Sequence, residues 1–482
     1  ARPLRAAQPR RPLGPCGPSS SRGATSVVAV TSPLRSRAEA VEADRVDPLA
    51  GAAALYHCDP AGPIYLDSNS LGRQPVGAAA RVAEVLEVWR HRLVEGWQEW
   101  VELPGRVGDR VGRLVGAAPG QVVVADSTTV NLHKLVLAAL AARPQRRVIV
   151  FDPHDFPTVR YALQAIAGRG GYQLRPTRSH PREGVDPDSL AAAIDDDVAA
   201  VCLSGVNFRS GAVLDLAAAS ACAHHHGALV VWDLSHAAGA LPLALDASGT
   251  DLAVGCGYKY LAGGPGAPAW LYVRRDLQAQ LDQPVWGWWG QRDRFAMAEA
   301  YQPELGMERF CSGTPAVIGI VSLDAGLEPL LRVGMDAVWS KTRRLVELLD
   351  QRAASVLGPL GVGPAGPSDP SRRGGHLALA HPLAAPLVAT LSSRGTVIAD
   401  SRPPEVLRLA PAALTTSYTQ AWDAVDRVAE ALSELLGSAA RPAGRRPAPD
   451  GRSSGVAEEP AQGGEGAGGA GPSGPDAALP AR

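Results

Sequence analysis

Apolar positions recur with two different periods along the chain. Over residues 81–97, Val82, Val85, Leu86, Trp89 and Leu93 fall at helical spacing, which predicts an amphipathic helix. Further on, short continuous apolar runs alternate with amphipathic stretches. Residues 121–125, 147–151, 199–204, 228–233, 251–256 and 269–273 read as strands, and residues 129–143, 158–167 and 216–226 as helices. Strands without polar alternation are covered on both faces, so the pattern predicts a mainly parallel sheet between helical layers. After about residue 325 the rhythm changes to a long helix (335–357), short strands near 376–381, 396–399 and 406–409, and a last helix (422–436).

The expected fold is therefore α/β. A segment over 41–74 packs on the body, a large domain spans 75–325, and a small C-terminal α+β domain spans 326–437. Residues 1–40 and 438–482 are dense in Arg, Pro, Ser and Gly, cannot bury enough apolar surface to offset ordering entropy, and are expected to be disordered.

Composition excludes several functions. Of 482 residues, 46% are hydrophobic and 20% charged, and the formal net charge is −1, which gives no basic footprint for nucleic acid or an anionic membrane. No apolar run approaches the roughly 18–20 residues that span a bilayer. Six scattered cysteines with no C-x-x-C pair argue against a structural zinc site or a disulfide scaffold. A reducing cytoplasm is the expected location. Consecutive His224, His225 and His226 point in different directions on a helix, so no metal site is expected there. Among 47 basic residues only Lys134, Lys259 and Lys341 are lysines.

In open α/β sheets, ligands bind beyond the carboxyl ends of the strands. Three such exits carry chemistry. After 121–125 come Ser127, Thr128 and Thr129 at a helix start, which read either as a phosphate cup or as a simple cap. Asp233 ends a buried strand, where a carboxylate needs a partner, and His236 follows on the same rim. Tyr258 and Lys259 follow 251–256 and precede a glycine-rich turn. A phosphate cup, an aspartate and a lysine in this chain order suit pyridoxal phosphate, which needs a Schiff-base lysine and an acid opposite its ring nitrogen. Arg408, flanked by apolar residues, reads either as a carboxylate fork or as a domain-edge ion pair.

On these motifs the chain resembles the kynureninase family, of pyridoxal-phosphate fold type I and close to the class V aminotransferases. The resemblance rests on Ile64-Tyr65-Leu66-Asp67-Ser68-Asn69-Ser70-Leu71-Gly72, Thr128-Thr129-Val130-Asn131-Leu132, Phe156-Pro157-Thr158 and Trp232-Asp233-Leu234-Ser235-His236-Ala237-Ala238-Gly239. It continues through Gly257-Tyr258-Lys259-Tyr260-Leu261, Gly287-Trp288-Trp289-Gly290, Phe295-Ala296-Met297 and Gly313-Thr314-Pro315.

The resemblance implies hydrolysis of L-kynurenine to anthranilate and L-alanine in tryptophan catabolism. It makes Lys259 the Schiff-base lysine and Asp233 the partner of the ring nitrogen. Thr128, Thr129, Ser204 and Tyr258 fall at phosphate-binding positions, with Thr158 also in the cofactor site. Phe156 matches a stacking aromatic and His236 lies in the cofactor surroundings. Trp288 and Thr314 match residues supplied by a second subunit, so a homodimer is implied. Arg408 matches the α-carboxylate ligand, with Ser70 and Trp97 also at the substrate. Trp97 and Thr314 resemble the bacterial kynurenine-preferring type rather than enzymes favouring 3-hydroxykynurenine. Tyr258 is a candidate proton relay.

Two positions depart from the pattern. Val159 stands where the family has an aspartate near the pyridine ring, leaving Asp233 as the evident counter-charge unless Asp155 compensates. Ser68 replaces a glycine and would be strained if that glycine had positive φ. The rival readings are a cysteine desulfurase-like lyase, with Cys311 as its reactive thiol, and a cofactor-binding homologue without turnover.

Overall fold

The computed structural model describes residues 34–439. The tails outside that range, expected to be disordered, lie outside the described residues. Residues 34–437 form one compact unit.

Seven strands build the main sheet: β1 (Val122–Val124), β2 (Val148–Phe151), β3 (Gln173–Pro176), β4 (Val198–Ser204), β5 (Leu229–Asp233), β6 (Leu252–Gly255) and β7 (Trp270–Val273). Their order is β1-β7-β6-β5-β4-β2-β3. Only β7 runs antiparallel to its neighbours; the other pairings are parallel. Apart from the exposed edge strand β3, the strands are apolar at nearly every position because both faces are covered. On β5, Val230 and Trp232 enter the core on one side while Leu229 and Val231 enter the core on the other. The predicted strand positions hold to within a residue or two at each end.

A second, antiparallel sheet carries Gly363–Pro364, Leu377–Ala380, Val406–Leu409 and Asp400–Arg402 in that order. Its core includes the helices Met335–Val356 and Tyr418–Ala439. The chain ahead of the main sheet joins this layer. Ile64–Tyr65 pairs in parallel with Val397–Ile398. The helix Arg37–Arg45 buries Ala40 and Ala43 in the same core. The first four residues of that helix lie inside the segment expected to be disordered, because Ser36 caps it and Arg37 pairs with Asp423 at 2.7 Å.

The helix predicted over 81–97 is also redrawn. It spans Ala78–Arg92 and breaks at Leu93, whose φ is +49°, before a 3₁₀ turn and the short helix Trp97–Trp100. Among the described residues no helix is long and apolar enough to cross a membrane.

Two of the three lysines, both on helices where spacing alone predicts an exposed position, are buried. Lys134 is fully buried and donates to Asp126 at 2.7 Å and to the Phe310 carbonyl at 2.6 Å. Lys341 pairs with Asp47 at 2.7 Å, both side chains almost fully buried. Helical spacing alone does not say that the polar face of each helix is covered by another segment of the chain.

Candidate active site

The parallel strands deliver a set of polar side chains to one rim. Lys259 lies beyond β6, Asp233 ends β5, Ser204 ends β4, Phe156 follows β2, and Thr128 and Thr129 follow β1. The helix Thr128–Ala141 opens there with Ser127 as its cap, so its first backbone N–H groups face the rim. Asp126 reaches this turn at φ +47°, a left-handed conformation that Asp tolerates better than most residues. Thr129 and Thr158 hydroxyls share a hydrogen bond at 2.8 Å, which ties this helix start to the next.

Lys259 is set by close packing. The Gly72 amide donates to the Tyr258 carbonyl at 2.9 Å, and a Cβ on Gly72 would lie 2.4 Å from the Lys259 carbonyl oxygen. Only glycine fits there. Lys259 Nζ lies 2.9 Å from His236 Nε2 and 6.0 Å from the Phe156 ring centroid. Burial and the Lys259 charge hold His236 well below the usual histidine range, so its ring is neutral. Asp233 Oδ1 accepts the Ser235 amide at 2.8 Å. Burial, followed by Cys256 and Asp233, pushes the Tyr258 hydroxyl up to about 12.

Arg408 lies in the small sheet with its guanidinium 1% exposed. Its fork closes on Asp400, with Nε donating to Oδ1 at 2.6 Å and Nη2 to Oδ2. Nη2 also donates to Ser70 Oγ at 3.3 Å, and Nη1 to the Phe208 carbonyl. Phe208 packs edge-on against Phe156 at 5.2 Å, which joins the Arg408 cluster to the lysine cluster. The ion pair anticipated for Arg408 is therefore present, in a bidentate geometry that matches a carboxylate ligand. Beside it, burial and the Asp400 charge push Asp67 up to about 6.

Trp97, Trp288 and Thr314 stand apart from these clusters. Trp97 and Trp288 both pack on Trp289, at 5.6 Å and 5.0 Å. Trp97 and Thr314 line an apolar cavity of about 520 Å³ with Trp89, Leu93, Val94 and Ile318. Among the described residues no hydrogen bond or ring contact joins these three to Lys259.

The two departures resolve differently. Ser68 is buried but does not have positive φ, so the backbone strain expected of it is absent. Val159 is fully buried in the core with Leu132, Leu163 and Ile166. Asp233 is not the only carboxyl at the rim, because Asp155 is buried close enough to feel its charge.

His376 escaped the sequence reading. It is 1% exposed, its ring lies 5.9 Å from that of His236, and neither ring nitrogen has a hydrogen-bond partner. Burial and Arg408 hold it down at about 3. The available signal was its place after Gly374-Gly375 at the head of a predicted strand. His224, by contrast, pairs with buried Asp251 at 2.8 Å, and no cluster among the described residues could hold a metal ion.

The rim tests well for a phosphorylated pyridine aldehyde. It offers an amine, an acid, exposed helix N–H groups with hydroxyls, and an aromatic face. Buried His236 Nδ1 and Asp155 Oδ2 lack partners within the protein.

Comparison with known proteins agrees. Residues 98–373 match the class-V aminotransferase family, and residues 338–428 match the kynureninase C-terminal domain. A kynureninase of Pseudomonas fluorescens is 39% identical over 386 residues, which covers 77% of this chain and 90% of that protein. One from Burkholderia pseudomallei is 38% identical over 412 residues, 83% of this chain and 96% of the relative. The chain belongs to the kynureninase family. Its cofactor is accordingly pyridoxal phosphate.

Solved structures show the same fold at lower identity. A cysteine desulfurase from Thermococcus onnurineus NA1 aligns with TM-score 0.67 and 19% identity over 78% of this chain and 95% of its own. One from Escherichia coli aligns with TM-score 0.68 and 20% identity over 81% and 98%. The desulfurase reading of Cys311 does not fit its surroundings. The thiol is 3% exposed, and burial pushes it up to about 12.

Proposed function

We propose that the chain hydrolyses the Cβ–Cγ bond of L-kynurenine, giving anthranilate and L-alanine. The observation that carries this reading is the joining of two clusters through Phe156 and Phe208. Lys259 with His236 lies on one side and the Arg408 fork on the other. An amino acid held by its carboxylate at Arg408 would present its α-carbon towards the lysine.

Pyridoxal phosphate, when bound, supplies an aldehyde carbon for the amine and a pyridinium ring that accepts electrons from the substrate. In this reading Lys259 holds the cofactor and moves the substrate's Cα proton. Asp233 faces the ring nitrogen. Thr128, Thr129 and Tyr258 hold the phosphate end with Thr158 beside them, Phe156 covers the ring, and Ser204, whose hydroxyl donates to Asp155, serves the ring-nitrogen end. Neutral His236 accepts from the lysine ammonium and orients it. Arg408 exchanges Asp400 for the substrate carboxylate, helped by Ser70. Tyr258 keeps its proton at neutral pH and can donate it as water adds to the γ-carbonyl and the carbon–carbon bond breaks.

We extend the reading to a homodimer. Trp89, Leu93 and Val94 are 60%, 64% and 76% exposed around the cavity that holds Trp97 and Thr314. An apolar patch of this kind favours burial against another surface. A second copy seated there would bring Trp288 and Thr314 to its partner's lysine. The Trp97 and Thr314 side chains favour kynurenine over its 3-hydroxy form.

The test is product analysis. Equimolar anthranilate and L-alanine from L-kynurenine support the proposal. Alanine and sulfur from L-cysteine, with kynurenine untouched, would replace it with the desulfurase reading.

A further inference from the structure

Asp155 occupies the turn after β2, two residues before the helix Pro157–Gly170, and is 3% exposed. Its Oδ1 accepts from Ser204 Oγ at 2.5 Å and from the Phe156 amide at 2.7 Å. Its Oδ2 is buried with no hydrogen-bond partner. Ser204 is the register neighbour of Asp233 across the parallel pair β4 and β5. Register neighbours lie about 4.8 Å apart and present their side chains on the same face. Ser204 therefore anchors the Asp155 carboxyl about one strand spacing from Asp233.

The surroundings offer this pair no cation. Among the described residues neither Asp155 nor Asp233 makes an ion pair. Burial, Asp233 and then Asp152 push Asp155 up to about 8. The Cys202 thiol behind them is raised by burial and by both carboxylates. Two buried carboxyls side by side, one with an unpartnered oxygen, are costly without a positive group between them.

We infer that Asp155 is a positioning residue for the cofactor's ring nitrogen, closing a two-carboxyl clamp with Asp233. The inference rests on the pyridoxal-phosphate reading of the site. In the cofactor-free protein burial and the neighbouring Asp233 favour the protonated form of Asp155. When an unprotonated ring enters, that proton passes to the ring nitrogen. Two carboxylates then flank one cation, and no other bond forms or breaks. Val159 packs in the apolar core and takes no part.

The experiment compares two ligands by equilibrium fluorescence titration of the cofactor-free chain. One is pyridoxal phosphate; the other is its carbocyclic analogue, in which CH replaces the ring nitrogen. Asp155→Asn keeps an acceptor for Ser204 and Phe156. It should weaken pyridoxal phosphate by about tenfold, a loss equivalent to one pKa unit of charge preference, and leave the analogue within about twofold. Ser204→Ala, which removes the anchor, should show the same selective loss and serves if Asp155→Asn does not fold. Equal weakening of both ligands, or of neither, would overturn the inference. If neither ligand binds the unaltered chain, the cofactor reading itself fails, a separate and distinguishable result.

Discussion

Of the three lysines among 47 basic residues, each has a reason not to be arginine. Lys134 and Lys341 insert compact ammonium groups into buried pockets. Lys259 alone faces the rim, and its amine is the group that can form a Schiff base. Its place at the rim was legible because the residue type and the strand exit agree. Burial of the other two was not, since it depends on segments distant in sequence. Arg408 shows the same limit: its residue type announced a fork, but Asp400 as its resident partner could not be read from spacing. Arg408→Lys should raise KM for kynurenine at least about tenfold with a smaller change in kcat, because the planar fork is lost; unchanged KM would remove Arg408 from the substrate site. Asp155 makes a pH prediction. The folded cofactor-free chain keeps its proton where the unfolded chain is ionised, so this group's contribution to stability declines as pH rises from about 4 to about 8. Denaturant midpoints for the unaltered chain minus those of Asp155→Asn should fall across that window.

At the scale of elements, the main-sheet strands were readable because burial on both faces leaves unbroken apolar runs. The edges of the description were harder. The helix Arg37–Arg45 looks like part of a polar tail until its contacts are seen. Asp44 accepts the Tyr418 and Thr419 amides at 2.6 Å and 3.0 Å, capping the last helix from the other end of the chain. Asp44→Ala should cost about 1 kcal/mol, read as a lower thermal midpoint. Lys134 ties the helix Thr128–Ala141 to Asp126 and to the Phe310 carbonyl. Lys134→Met should cost roughly 2–3 kcal/mol, less than a fully buried pair because Asp126 is partly exposed. A midpoint unchanged by Lys134→Met would mean that the ion pair does not hold the helix.

For the whole molecule, one chain gathers the lysine and arginine clusters but leaves Trp97 and Thr314 at a separate apolar cavity, with Trp288 packed on Trp289. No periodicity could have shown this separation, because it concerns a surface rather than an element. Light scattering should give a mass of two chains, and Leu93→Glu should halve it and reduce kynurenine turnover at least about tenfold by desolvating a charge in the apolar patch. A fully active monomer would refute the shared site.

In the proposed reaction the amine of Lys259, joined to the Arg408 cluster through Phe156 and Phe208, serves carbon–carbon bond hydrolysis. The most direct measurement is anthranilate fluorescence over time, with L-kynurenine added to the cofactor-loaded chain and to Lys259→Ala. Steady anthranilate release is expected from the unaltered chain and none from the variant. No release from the unaltered chain, or equal release from both, would contradict it.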